Sequence, residues 1–231
     1  MQKICAVIAA AGTGSRMGRG INKQFIKIKE KPLLFYTLTA FENNSKVDEI
    51  VVTAKTEEIE FIKKEIVEKY EFHKVSAIVV GGKERQDSVY NALKYIKECH
   101  IVLIHDGARP FVTEEIINKG IEYTEIYGAA ACGVTPKDTI KLVDRDGFSE
   151  GTLNREKLFS VQTPQCFKYT LIMDAHTKCS QLDSKFTDDT AVLEYFGHRI
   201  YLYQGSYDNI KVTTPEDLAV AQRIVEERAL G

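Results

Sequence analysis

Two glycine-rich turns, an acid–base pair and a few placed lysines are the parts of this sequence equipped for chemistry. The first turn reads Ala9-Ala10-Ala11-Gly12-Thr13-Gly14-Ser15-Arg16-Met17-Gly18 and runs on to Lys23-Gln24-Phe25. Glycine lets a backbone approach a ligand closely, and successive N–H groups in such a loop form a nest for phosphate oxygens. Arg16 and Lys23 set positive charge beside that nest. The second turn, Gly81-Gly82-Lys83-Glu84-Arg85-Gln86-Asp87-Ser88, would admit a base or ribose at Gly82 and offer a donor at Ser88. The third segment, His105-Asp106-Gly107-Ala108-Arg109-Pro110, brings a carboxylate and a guanidinium together. Asp106 suits Mg2+, which takes one or two carboxylates and completes its shell with phosphate oxygens and water. Arg109 can clamp a phosphate through two parallel hydrogen bonds.

Each segment also has a plainer reading. The first can be a tight turn, the second a strand-to-helix connection and the third an Asp106–Arg109 ion pair, with His105 a packing residue rather than a base. Two familiar nucleotide motifs fail outright. The dinucleotide pattern G-x-G-x-x-G meets Met17 where its third glycine belongs, and the following strand-like run ends at Ala54-Lys55 without a ribose-binding acid. No G-K-[ST] follows at the spacing of a Walker loop. Later polar segments, namely Lys137-Asp138-Thr139, Gln162-Thr163-Pro164-Gln165, Thr187-Asp188-Asp189 and Lys211, read singly as caps, turns or solvated groups.

Elements must hold these segments in one place, and their order is legible. Apolar runs at Lys3–Ala9, Glu49–Ala54, Ser76–Val80, Ile101–His105 and Ala129–Val134 have strand length. Between them Leu33–Glu42, Glu57–Tyr70, Gln86–Lys97 and Thr113–Tyr127 carry apolar residues three and four apart, with Thr56 and Thr113 as caps. Four successive strand–helix units predict an α/β fold, a mostly parallel Rossmann-like sheet with helices on both faces. Ligands collect at the carboxyl ends of such strands, which is where all three segments fall.

After Val134 the rhythm changes. Asp138–Asp144, the turn Asp146-Gly147 and Gly151–Gln162 read as an extended, polar hairpin with few core residues. Such an arm, at about 135–160, cannot bury itself and is expected to pack on a second copy of the chain as a homodimer. Helices are then expected at Lys168–Cys179 and Asp188–Phe196, strands at Ile200–Gln204 and Ile210–Thr213, and a last helix capped by Thr214 with Pro215 in its first turn. No repeat or linker interrupts the chain, so residues 1–231 read as one domain carrying an arm.

Composition narrows the function class. Basic and acidic residues nearly cancel, 31 against 33, which leaves no broad field for nucleic acid or a membrane surface. The apolar run Ile4–Ala11 is far too short to span a bilayer. That run, preceded only by Lys3, points to a cytoplasmic protein, and five dispersed cysteines without a C-x-x-C pair argue against a disulfide framework and a zinc site and read as reduced thiols.

Seven segments in order resemble the 2-C-methyl-D-erythritol 4-phosphate cytidylyltransferases: AAAGTGSRMG with NKQF, GGKERQDSV, HDGARPFV, TPKDTIK, NREKLFSVQTPQCF, TDDT and NIKVTTPEDL. They run from Ile8 to Leu218, nearly the whole chain. The resemblance implies transfer of CMP from CTP to the sugar phosphate with Mg2+, in a homodimer whose arms exchange contacts. It implies that Ala10, Ala11, Gly12, Gly82 and Ser88 touch the cytidine and phosphates, and that Arg16, Lys23 and Lys211 are catalytic. Asp106 would lie at the metal and the substrate; Arg109, Thr163 and Thr187 would contact the sugar phosphate or reacting phosphorus; Thr139 and Arg155 would reach a facing subunit's site. Lys83 stands where the family often carries Asp, and Asn22 where Pro is common. A ribitol-5-phosphate cytidylyltransferase is the nearest alternative, but its first loop favours Ala-Gly-Gly over Ala10-Ala11-Gly12. A dinucleotide-dependent oxidoreductase is disfavoured by Met17, and a non-catalytic nucleotide sensor has no use for Lys23 and Lys211 together.

Overall fold

A computed structural model describes residues 2–12 and 22–230, without the side chains of residues 229–230. Seven strands form the central sheet in the order β11-β7-β10-β6-β1-β4-β5. They are β1 (Ile4–Ala9), β4 (Glu49–Ala54), β5 (Val75–Val80), β6 (Ile101–Asp106), β7 (Ala129–Val134), β10 (Ser160–Lys168) and β11 (Tyr201–Gln204). Two small antiparallel pairs stand apart: β2 (Lys27–Ile28) with β3 (Lys31–Pro32), and β8 (Lys141–Val143) with β9 (Ser149–Thr152). The helices are α1 (Leu33–Glu42), α2 (Ile59–Ile62), α3 (Arg85–Tyr95), α4 (Glu114–Tyr127), α5 (Tyr169–Cys179), α6 (Asp189–Tyr195) and α7 (Pro215–Leu230).

The strands expected from their apolar runs form because helices cover both faces of the sheet, so both faces select mainly apolar side chains. Along β1, Ala6 and Ile8 pack with Leu34, Leu38 and Phe41 of α1, while Cys5 and Val7 pack with Val89 and Leu93 of α3. A third cluster, Ile28, Leu33, Phe111, Val212 and Ile224, seats α7 beside the β2–β3 pair. Fully burying side chains of this size contributes about 1.5–3 kcal/mol each before entropy is counted.

Three expectations are corrected. The stretch up to Gln162 is not all arm: from Ser160 the chain enters the sheet as β10, which runs antiparallel between β6 and β7. Its buried positions include Gln162, Thr163 and Gln165, and Pro164 sits where the pairing with β7 shifts between Val161 and Gln165. A proline inside a run reads as a strand breaker, and a bulge is where a sheet accepts one. Second, Ile210–Thr213 joins no sheet; Val212 N–H instead donates to the Ala108 carbonyl at 2.9 Å as the chain passes the rim. Third, the expected helix Glu57–Tyr70 is broken into a 3-10 turn at Thr56–Glu58, the single turn α2 and a π-helical stretch Lys63–Glu68. Ile62 and Ile66 remain buried through that change of winding.

Candidate active site

Chain order reverses at β1: the chain proceeds to β4 and β5 on one side, and β6 lies on the other. Such a switch point leaves a crevice above the carboxyl ends of the two central strands. Ala9, the last residue of β1, is paired in register with Asp106, the last of β6. Above them opens a cleft of about 570 Å3, lined among others by Ala11, Gly12, Lys23, Gly82, Ser88, Asp106 and Lys211. Arg16 lies outside the described residues.

The β1 side of the cleft is tied down on three sides. Ala10 N–H donates to the Thr53 carbonyl at 3.1 Å and to its hydroxyl at 3.2 Å. Gln24 Nε2 donates to the Ala10 carbonyl at 2.9 Å, and Asn22 Nδ2 reaches both carboxylate oxygens of Glu58 at 3.0 Å. Lys23, between these two anchors, therefore starts a fixed 3-10 turn whose N-cap is Asn22.

The second turn shows why its glycines are there. A Cβ at Gly81 would lie 2.4 Å from the Cβ of Ala11, and one at Gly82 would lie 2.2 Å from that of Asp87. Gly82 N–H donates to Ser88 Oγ at 2.9 Å, and that hydroxyl donates on to the Glu84 carbonyl at 3.1 Å. Glu84 and Asp87 form a capping box at the start of α3, in which Glu84 N–H donates to Asp87 Oδ2 at 3.0 Å. The turn is thus folded onto the first glycine segment, and Lys83 joins the wall.

Asp106 is the electrostatic centre. Its Oδ1 accepts from Arg85 Nε at 3.1 Å; its Oδ2 is 2.8 Å from Lys211 Nζ and 3.6 Å from Arg109 Nε. Burial alone would raise this carboxyl's pKa, but Arg85, Lys211 and Arg109 overturn that and hold it far below the usual carboxylate range. The Asp106–Arg109 ion pair that the sequence left open does form. Arg109 also donates from Nη1 to the Asn209 carbonyl at 2.8 Å, and burial lowers its pKa. Arg85, which the sequence reading passed over, reaches beyond Asp106 to Asp189 Oδ2 at 2.6 Å. Burial opposes the Arg85 charge, and Asp189 and Asp106 more than reverse that, so its pKa rises. Three cations thus share two carboxylates, and an excess of positive charge faces the cleft.

Behind Asp106 stands a buried support. Thr163 Oγ1 accepts from the Asp106 N–H at 3.1 Å and lies 3.0 Å from His105 Nδ1, whose ring partner Nε2 is 2.9 Å from the Arg109 carbonyl. A carbonyl can only accept, so Nε2 carries the proton and the Thr163 hydroxyl donates to Nδ1. Burial pushes the His105 pKa down to about 4, and with both nitrogens occupied the ring is a packing group, as expected, and no base. Asn209 Nδ2 donates to the Thr163 carbonyl at 2.9 Å and links this support to the segment bearing Lys211. Gln165 explains two further polar segments: its amide donates to Asp188 Oδ2 at 2.7 Å and accepts from Asp189 N–H at 3.0 Å, fixing the start of α6.

The outer residues are more open. Thr187 is exposed, just before Asp188, the N-cap of α6. Thr139 and Arg155 are exposed on the arm, where Arg155 Nη1 donates to the Lys137 carbonyl at 2.6 Å.

A profile of the family described as 2-C-methyl-D-erythritol 4-phosphate cytidylyltransferase matches residues 4–227. The chain belongs to this family. A cytidylyltransferase of that name from Clostridium kluyveri is 59% identical over 224 residues, 97% of each chain. One from Clostridium novyi is 54% identical over 98% of each. Among solved structures, the 4-diphosphocytidyl-2C-methyl-D-erythritol synthase of Anaerococcus prevotii superposes with a TM-score of 0.86 at 31% identity, covering 97% of this chain and 96% of that one.

Membership in the cytidylyltransferase family brings Mg2+ into question. Among the described residues no three Asp, Glu, His or Cys side chains converge on a metal position. Asp106 still fits as one ligand, because Mg2+ draws the rest of its shell from nucleotide phosphates and water. Lys211, with 38% of its side chain exposed, has room to leave Oδ2.

Proposed function

We propose that this chain transfers CMP from CTP to 2-C-methyl-D-erythritol 4-phosphate, giving 4-diphosphocytidyl-2-C-methyl-D-erythritol and pyrophosphate in the non-mevalonate isoprenoid route. The observation that carries this reading is the cation cluster around Asp106, set at the switch point beside two glycine-shaped turns. A triphosphate needs that charge and those close backbone approaches.

In the reaction a phosphate oxygen of the acceptor forms a bond to the α-phosphorus of CTP, while the bond from that phosphorus to the bridging oxygen breaks and pyrophosphate departs with the electron pair. A sugar phosphate with a second pKa near 6 is largely a dianion at neutral pH, so no base has to remove a proton. This agrees with His105, the histidine beside Asp106, which is buried, neutral and occupied on both nitrogens. Alignment and charge remain to be supplied. Ala10, Ala11, Gly12, Gly82 and Ser88 form the nucleotide wall in this reading; Arg16, Lys23 and Lys211 neutralise the triphosphate; Arg109, Thr163 and Thr187 serve the acceptor, Thr163 by holding Asp106. Asp106 would hold Mg2+, which when bound would supply further positive charge to the phosphates.

The chain is further proposed to be one domain with an arm that pairs two copies. Leu142, Val143 and Phe148 leave the β8–β9 arm with large apolar side chains in water, Phe148 at 72% exposure. A monomer rarely exposes such a group without a partner. Thr139 and Arg155 of the partner subunit would then complete each site. No helix among the described residues is long and apolar enough to cross a membrane. A cytoplasmic location is part of the same proposal, since the five cysteines are unpaired, as suits a reducing compartment.

Pyrophosphate release from Mg2+ and CTP, measured in parallel with 2-C-methyl-D-erythritol 4-phosphate and ribitol 5-phosphate, tests the reading. Strong preference for the first acceptor is expected. Preference for ribitol 5-phosphate would keep the chemistry and change the substrate, and no release with either would remove the activity.

A further inference from the structure

Arg85 is the first residue of α3, and the capping box of Glu84 and Asp87 fixes the backbone from which it projects. Its guanidinium spans two carboxylates that are far apart in the chain: Nε meets Asp106 Oδ1 at 3.1 Å and Nη1 meets Asp189 Oδ2 at 2.6 Å. Asp189 is wholly buried and has no freedom to turn. Its Oδ1 lies 3.2 Å from His176 Nε2, and its N–H is held by Gln165. One side chain therefore joins α3 to the end of β6 and the start of α6, with α5 and β10 braced behind.

The consequence falls on Asp106. A carboxylate rotates easily about its last bond, and its two oxygens here have different partners. With Oδ1 taken by Arg85, Oδ2 is the oxygen presented to Lys211 and Arg109. We infer that Arg85 is a positioning residue for CMP transfer: by bridging Asp106 and Asp189 it fixes the Asp106 carboxylate so that Oδ2 aims at Lys211 and Arg109. It makes this contribution without touching the reacting atoms. The inference rests on the proposed activity for its kinetic test, and on geometry alone for its structural one.

A purely structural staple between α3 and α6 would use the same contacts, and a paired substitution separates the two roles. Arg85→Gln leaves Asp189 buried without its cation, so loss of stability alone would lower activity. Adding Asp189→Asn removes that stranded charge while Asp106 still lacks its Oδ1 partner. The expected result is a double variant that melts within a few degrees of the wild type yet keeps a kcat about 100-fold down, the size of effect seen when one preorganised electrostatic group is lost. The KM for CTP should change by less than about threefold, because interactions lost only in the transition state leave KM alone. Recovery of kcat together with thermal stability would reduce Arg85 to a staple and overturn the inference. A rise in KM of tenfold or more at unchanged kcat would overturn it too, by making Arg85 a direct nucleotide contact. A crystal structure of the double variant decides the point whatever the activity: the Asp106 carboxylate should have rotated out of its wild-type plane, and a carboxylate that keeps that plane, with Oδ2 still facing Lys211 and Arg109, would contradict the inference. A wild-type protein without CMP transfer would instead sink the proposed function, leaving that structural result to stand by itself.

Discussion

Replacing Asp106 by Asn removes the one acid shared by three cations and keeps the side chain's shape. Its partners do not all suffer equally. Arg85 keeps Asp189 at 2.6 Å, Arg109 keeps the Asn209 carbonyl at 2.8 Å, and Lys211 is open enough to turn to water. Removing one partner of a buried ion pair costs about 3–5 kcal/mol, and these remaining contacts place Asp106→Asn at the low end, about 3 kcal/mol. For a chain of 231 residues a loss of that size lowers the melting temperature by roughly 6–12 °C. The sign with pH is also fixed. The folded pKa of Asp106 is held far below its unfolded value of about 3.9, so its contribution is complete above that value and is lost as pH falls toward the folded pKa. Urea unfolding of wild type and variant, run at neutral pH and in steps below pH 5, reads both quantities. The stability gap should be full at neutral pH and shrink on acidification. A variant as stable as wild type at neutral pH, or a gap that widens in acid, would refute the electrostatic reasoning.

Lys23→Ala should lower turnover by about 100-fold or more in a folded variant, since it removes one preorganised cation from the cleft; wild-type turnover in the folded variant would end its catalytic role. Gly82→Ala forces a methyl group into Asp87 and should cost about 1–3 kcal/mol by overpacking, together with a raised KM for CTP that steady-state kinetics will detect. If the arms cross, Arg155→Ala and Lys23→Ala chains that are each disabled, the first mainly in acceptor binding, should, after mixing and subunit exchange, recover up to about a quarter of wild-type activity, because half of the dimers are mixed and hold one intact site of two. Failure to recover any activity in mixtures shown to exchange subunits would argue for self-contained sites.

Much of the sheet was legible because burial on both faces writes itself as apolar runs, as in β1 and β6. The strand β10 was hidden for the opposite reason. Gln162, Thr163 and Gln165 face the interior, yet each has a hydrogen-bonding partner that no local pattern reveals: the Ser206 carbonyl, the His105 ring and Asp188. Only Cys166-Phe167 at its end carried an ordinary core signal. Arg85 was missed in the same way, since its partners lie 21 and 104 residues away. The glycine turns and Asp106 were visible because their residue types are unusual at strand ends, and Lys211 because a charge interrupts an apolar stretch. The Ile210–Thr213 run reads as a strand because a segment outside the sheet that packs Ile210 and Val212 on α7 carries the same alternating apolar pattern.

Phosphorus NMR of the reaction of CTP with 2-C-methyl-D-erythritol 4-phosphate and Mg2+ addresses the central claim most directly. The acceptor's monophosphate signal should be replaced by the coupled pair of a new diphosphate as free pyrophosphate accumulates in equal amount. Pyrophosphate appearing with CMP while the acceptor signal stays unchanged would mean hydrolysis in place of transfer, and would contradict that claim.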